Sequence, residues 1–276
     1  MTETDWIEAA RLVLPEHART TGITRIRQLG LDFGPRRPVH FVIEGERHLA
    51  IDGIFLHRTK RLAPTDDVGV TPAAAFIALC RRARVIDAIK VGDWLLHRAH
   101  MTTKELHDLA LGEQWRDGAD EALWILDHLD GRARSLPESV TRAVLNFAGL
   151  PRPEVNRPLR LTDELVLIGG LVYEDWRTVV EYEGGHHQTE RVQYVADIDR
   201  YATFRRHTIG YVQVTSERLA QPRTLVGEVH RELVGHGYAG PPPQCGRDWA
   251  LLWCRITDVL GPRRDRRRGG GSRTVL

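Results

Sequence analysis

The chain has 276 residues, 42% of them hydrophobic and 28% charged, with a formal net charge of +2. That is globular composition, long enough for one large domain or two small ones with real cores. A net charge so near zero excludes an argument for nucleic acid from overall charge, and no uncharged apolar run is long enough to span a membrane.

Lys60, Lys90 and Lys104 are the only lysines, so the positive charge is nearly all arginine. A GC-rich genome produces that bias, and the guanidinium fork also suits phosphate contact. The N-terminal stretch MTETDWIEAARLVLPEH has neither the basic nor the apolar region of a signal peptide. Residues 1–115 read as a first domain of mixed helices and strands. "HFVIEG" (40–45) and "LAIDGIFLH" (49–57) read as strands around a glycine-containing turn. Residues 70–100 read as helix, with Thr71 as N-cap and Pro72 in the first helical position. Residues 102–111 open another helix, capped by Thr102 or Thr103.

Residues 116–236 read as a second domain. "DGADEALWILDHLD" is helical, and "RSLPESVTRAVLNFAGLP" is a helix with Ser135 as cap and Gly149 as stop. Residues 164–173 and 177–183 read as strands joined at Glu174-Asp175. Residues 189–207 follow as a helix with Val192, Val195, Ile198 and Ala202 on one stripe. "IGYVQVT" (209–215) is a third strand, and residues 216–237 end in the last helix. This alternation predicts an α/β sheet covered by helices.

From Gly237 to the end the chain is rich in proline, glycine and arginine, and reads as a largely disordered tail. The cysteines, Cys80, Cys245 and Cys254, fit no zinc spacing and are expected in a reducing cytosol. A cytoplasmic protein without membrane contact is the expectation.

The stretch "VVEYEGGHHQ" (179–188) carries the chemistry. Side chains alternate along a strand, so Val179, Glu181 and Glu183 share one face and Thr178, Val180 and Tyr182 the other. A two-residue turn at Glu174-Asp175 puts Gly170 opposite Val179 and diagonal to Glu181. Neighbouring carboxylates disfavour each other's ionisation, so such a pair either faces water on an edge strand or shares a cation. Oxygen ligands of this kind suit Mg²⁺ or Mn²⁺.

Three stretches occur in a particular order: "LPESVTRAVLNFAGLPRPEVN", "VVEYEGGHH" and "YVADIDRYATFRRHTIGYVQVT". Over roughly residues 134–236 that order resembles the Vsr-like endonuclease family of actinobacterial proteins, within the PD-(D/E)XK nuclease superfamily. The resemblance implies a restriction-endonuclease-like core, a small mixed sheet flanked by helices, and a Mg²⁺- or Mn²⁺-dependent DNA endonuclease. It implies Glu181 and Glu183 as metal ligands, Glu138 as the glutamate of the preceding helix, and His187 as a phosphate contact or acid–base group. Asp197, Asp199 and Arg200 match the family's acid-and-arginine helix. Arg191 and Arg200 would contact phosphate, although Arg191, Arg200, Arg205 and Arg206 also read as a solvated helix face, and His186 as a surface histidine. Ser135 to Glu138 is equally a capping box, so Glu138 has two readings.

One position departs from the family. Its central metal-binding aspartate falls here on Gly170, and neither Asp163, Glu164 nor Asp175 replaces it obviously. The superfamily lysine is replaced by Glu183. A non-enzymatic DNA-binding or toxin–antitoxin regulatory protein that retains the fold is therefore the alternative. Residues 36–112, through "DGIFLHR", "VTPAAAFIALCRRA" and "VGDWLLHRAHMTTKEL", resemble more weakly the AbiEi-type antitoxins. That resemblance implies an N-terminal α+β domain and a toxin or other protein as partner, beside DNA.

Overall fold

The computed structural model describes residues 2–46, 48–160, 166–183 and 202–261. The architecture is mixed α/β, with small sheets flanked by helices. The chain forms two compact units, Met1–Leu129 with Cys254–Leu276, and Asp130–Trp253. The division thus falls at 129/130 and 253/254, where the sequence suggested 115/116 and 236/237. None of the described helices is long and apolar enough to cross a membrane.

The first unit has a sheet of β1 (Arg19–Thr20), β2 (Val39–Glu44) and β3 (Ile54–Thr59). β2 and β3 are parallel, Val39 opposite Ile54 and Glu44 opposite Thr59. The glycine-containing turn therefore does not make a hairpin. A six-residue strand is about 17 Å long, and the nine residues 45–53, extended, reach about 30 Å, so the chain returns to the start of β2 without a crossover helix. Val39 and Phe41 point to one face of the sheet, against Ile7, Ala10 and Leu14 of the N-terminal segment that forms α1 (Glu3–Val13).

The helix expected over 70–100 is two, α3 (Pro72–Cys80) and α4 (Val85–His97). Between them the Val85 N–H donates to Cys254 O at 3.0 Å, and the Ile256 N–H donates to Ala83 O at 3.1 Å. A distant segment thus supplies the hydrogen bonds that an unbroken helix would have made itself. Thr71 occupies the N-cap position of α3 without a side-chain cap hydrogen bond, and Pro72 follows at the first helical position. Thr102 caps α5 (Thr103–Gly112) in a full capping box with Glu105.

The second unit has a four-stranded sheet ordered β4 (Glu154–Val155), β7 (Leu171–Tyr173), β8 (Thr178–Tyr182), β9 (Gly210–Val214). The first two pairings are antiparallel, and β8–β9 is parallel. A separate two-stranded sheet pairs β5 (Pro158–Arg160) with β6 (Val166–Ile168). The strand expected over 164–173 is therefore interrupted, and Ile168 pairs with Pro158, not with the acidic strand. One face of the main sheet buries Val172, Val179 and Ile209 against Phe204, from the helical residues 202–206 (α8). α7 (Leu136–Phe147) and α10 (Pro222–Gly235) complete the cover.

Residues 237–261, expected in the disordered tail, are ordered. α11 (Arg247–Ala250), a 3₁₀ turn at Leu251–Trp253 and α12 (Ile256–Leu260) bury Trp249, Leu252 and Ile256. The Trp249 indole N–H donates to Val144 O at 3.1 Å, giving the buried ring the polar partner it needs. Few apolar residues suffice here because three are large and aromatic or branched.

Candidate functional site

Tyr173 pairs with Thr178, Val172 with Val179 and Leu171 with Val180. The connection is four residues, 174–177, with a 3₁₀ turn at Glu174–Trp176 and Arg177 in the left-handed region at φ 44°. The register is thus two residues away from the tight turn expected at Glu174-Asp175. The face is unchanged, because side chains alternate with period two, but the partner changes. Gly170 lies opposite Glu181, not opposite Val179. A Cβ built on Gly170 would stand 3.8 Å from Glu181 Cγ and 3.7 Å from Glu181 Cα.

Glu181 pairs across β8–β9 with Gln213, and Val179 with Tyr211. Glu181, Glu183, Tyr211 and Gln213 therefore project on one side, as alternation requires. The Glu183 N–H continues the ladder to Val214 O at 2.8 Å. Its carboxylate accepts from the Tyr211 hydroxyl at 2.7 Å on Oε1 and from Gln213 Nε2 at 2.5 Å on Oε2. Both oxygens are thus held by neutral donors of the neighbouring strand. Tyr211 and Gln213 were not found from sequence. The alternation in "YVQV" puts them on one face, but which strand that face serves depends on the parallel pairing.

Glu138 sits in the first turn of α7. The Glu138 N–H donates to Ser135 Oγ at 3.3 Å. Its own Oε2 accepts from the Arg134 N–H at 3.0 Å, one residue before the expected Ser135 N–H, and from Asn156 Nδ2 at 2.9 Å. The other Asn156 amide hydrogen goes to Arg132 O at 2.8 Å, which commits both. The Asn156 N–H donates to Gly170 O at 2.8 Å. Asn156 therefore links the helix start to the backbone beside Glu181. It holds the left-handed region at φ 49°, which asparagine tolerates better than most residues. That tolerance is a weak sequence signal for a residue the sequence reading passed over.

Arg132 anchors this corner. Its guanidinium donates to Asp130 Oδ2 and to Glu154 Oε2, each at 2.8 Å. Burial pushes the Asp130 carboxyl up, but the Arg132 hydrogen bonds outweigh it and hold the group below its ordinary value.

A cavity of about 470 Å³ adjoins the acidic face. Its walls include Tyr211 and Gln213, the two residues that hold Glu183, with Phe204, Arg205, Arg218 and Glu232. Arg218 is fixed by donating to Gln213 O at 2.7 Å.

Asp175 lies in the exposed 3₁₀ turn, at the far end of the hairpin from Glu181. His186, His187, Arg191, Asp197, Asp199 and Arg200 lie outside the described residues, as do Asp163 and Glu164. Among the described residues, no group of three or more His, Cys, Asp or Glu is placed to hold a metal ion. Glu181 and Glu183 alone, the latter already held by two donors, do not fit a preformed Mg²⁺ site, which wants near-octahedral oxygen ligation.

Two proteins of Mycobacterium tuberculosis are similar to this chain. They are the uncharacterized protein MT2308 of strain CDC 1551 / Oshkosh and the uncharacterized protein Rv2248 of strain ATCC 25618 / H37Rv. Each is 25% identical over 211 residues, covering 74% of this chain and 77% of the relative. No family model and no solved structure matches the chain.

Proposed function

We propose that the second unit is a nuclease-fold domain of the PD-(D/E)XK type that has lost a central metal ligand and acts by binding DNA, with little or no cleavage. The observation that carries this reading is Gly170 opposite Glu181. A carboxylate there would converge with Glu181, and glycine brings none. The donors on Glu183 point the same way, since a carboxylate whose two oxygens each already accept a hydrogen bond, from Tyr211 and from Gln213, is less available to a cation. The mixed sheet with its parallel β8–β9 pair is compatible with such a core. Arg205 and Arg218 in the adjoining cavity supply cations for a phosphate backbone. The resemblance of residues 36–112 to AbiEi-type antitoxins supports a regulatory setting with a toxin as protein partner.

An active endonuclease is the second reading. It is favoured by the hydrogen bonds from Glu138 through Asn156 to the Gly170 backbone, which tie the start of α7 to the strand end beside Glu181. Two assays separate the readings. Gel-shift titration with duplex DNA in EDTA measures binding, and plasmid nicking in Mg²⁺ or Mn²⁺ measures cleavage. Binding without nicking is the expected result. Nicking that Glu181→Ala abolishes establishes the enzyme, and failure in both assays removes DNA from the proposal.

A further inference from the structure

The first unit contains a cavity of about 780 Å³ whose chemistry is unlike that of the acidic corner. It lies on the side of β2 and β3 that carries His40, Phe55 and His57, the other side being packed on α1. Among the described residues, six cationic side chains line it from separate stretches of chain: Arg58 in β3, Lys60 just after it, Arg81 and Arg82 after α3, Arg116 after α5, and Arg255 before α12. Among the described residues, the acidic side chains in the lining are Asp117 and Asp258.

The cations are held in different ways. Arg116 is paired with Glu113 at 2.7 Å through Nε. Arg81 donates to the neutral Thr257 hydroxyl at 2.8 Å. The Arg82 guanidinium rests 4.5 Å over the Phe55 ring, which fixes its plane without neutralising it. Among the described residues, Lys60 and Arg255 make no ion pair. Cations gathered along one concavity repel one another and raise the local positive potential.

We propose that this cavity binds a small polyphosphate, nucleoside triphosphates included. Guanidinium forks match phosphate oxygens in pairs, and an ammonium adds a point charge. The volume lies in the usual range for a small-molecule site. It can enclose one discrete ligand, whereas the convex backbone of a duplex would touch only the rim. The state of the histidines agrees with the positive field. Burial first, then His40 and Arg82, push His57 down to about 4, so its ring is neutral at pH 7 despite lining the cavity.

The experiment is calorimetric titration of the full chain with tripolyphosphate and with ATP, in EDTA so that metal at the acidic corner cannot contribute. A 12-nucleotide single strand and its duplex are titrated alongside. Lys60→Ala/Arg255→Ala should weaken tripolyphosphate and ATP at least about tenfold, two charge-assisted contacts being lost. Lys104→Ala, which removes an exposed cation paired with Asp108, should leave binding unchanged. Both positions of the double variant are exposed, and melting confirms its fold. As a second readout in the unaltered protein, tripolyphosphate should raise the pH at which the His57 ring signals titrate. Absence of binding by both polyphosphates overturns the proposal. So does equal weakening in Lys104→Ala, or a His57 titration that tripolyphosphate does not move. Binding of the oligonucleotides alone, lost in the double variant, overturns it in favour of nucleic acid.

Discussion

Gly170 and Glu181 face each other across the β7–β8 hairpin, with the missing Cβ of Gly170 directed to within 3.8 Å of Glu181 Cγ. The closest obstacle to a side chain is Val180 O at 3.3 Å, tight but short of a clash, and the backbone at 170 is not left-handed. An aspartate is therefore admissible. Gly170→Asp should bind Mn²⁺ about tenfold tighter than the natural protein, about 1.4 kcal/mol. Calorimetry reads it directly, with a thermal melt to confirm the fold. An unchanged titration would mean that the two carboxylates do not converge.

The donors on Glu183 make a separate prediction. Tyr211→Phe removes one hydrogen bond to a charged, part-buried acceptor and should cost about 1–2 kcal/mol of stability. If those donors compete with a cation, the same variant should gain Mn²⁺ affinity while losing stability. Urea unfolding paired with metal titration distinguishes that opposed movement from simple damage, in which both fall.

His57 predicts a pH dependence. Its folded value, about 4, lies below the ordinary 6.5, with burial the largest cause and the His40 and Arg82 charges adding to it. The unfolded chain therefore binds the proton more tightly. Stability from this group is fully present above about pH 6.5 and is lost as pH falls toward 4, by roughly 3 kcal/mol at most. The melting temperature should fall over that window, and His57→Gln should flatten the fall. An equally steep profile in the variant would assign the dependence elsewhere.

Gly118 precedes α6 (Ala119–Leu126) with φ 92°, and a Cβ there would stand 1.9 Å from Ile77 O of α3. Gly118→Ala combines a left-handed alanine with a backbone clash and should cost at least about 2 kcal/mol. Gly149→Ala is the control. It is also left-handed, at φ 79°, but nothing lies within 4 Å of its Cβ. Its smaller loss, read from the same urea midpoints, isolates the clash.

Local chemistry was legible in the sequence wherever both partners lie within a few residues. Thr102 with Glu105 and Ser135 with Glu138 mark helix starts because a cap side chain bonds within its own first turn, and Thr71-Pro72 marks one because proline's fixed φ suits the first helical position. The shared face of Val179, Glu181 and Glu183 follows from alternation alone. What the tertiary structure decided depends on partners far along the chain. The break at residues 81–84 exists because Cys254 and Ile256 take its hydrogen bonds. β2 and β3 run parallel because their connection, though short, can return along the strand. The four-residue turn sets Gly170 against Glu181, and strand β9 supplies the donors that hold Glu183 from 28 and 30 residues away. A single sequence records such pairings only as compatible patterns. The choice among them is made when burial of one partner leaves the other as the available hydrogen-bonding group, and that competition exists only in the folded chain.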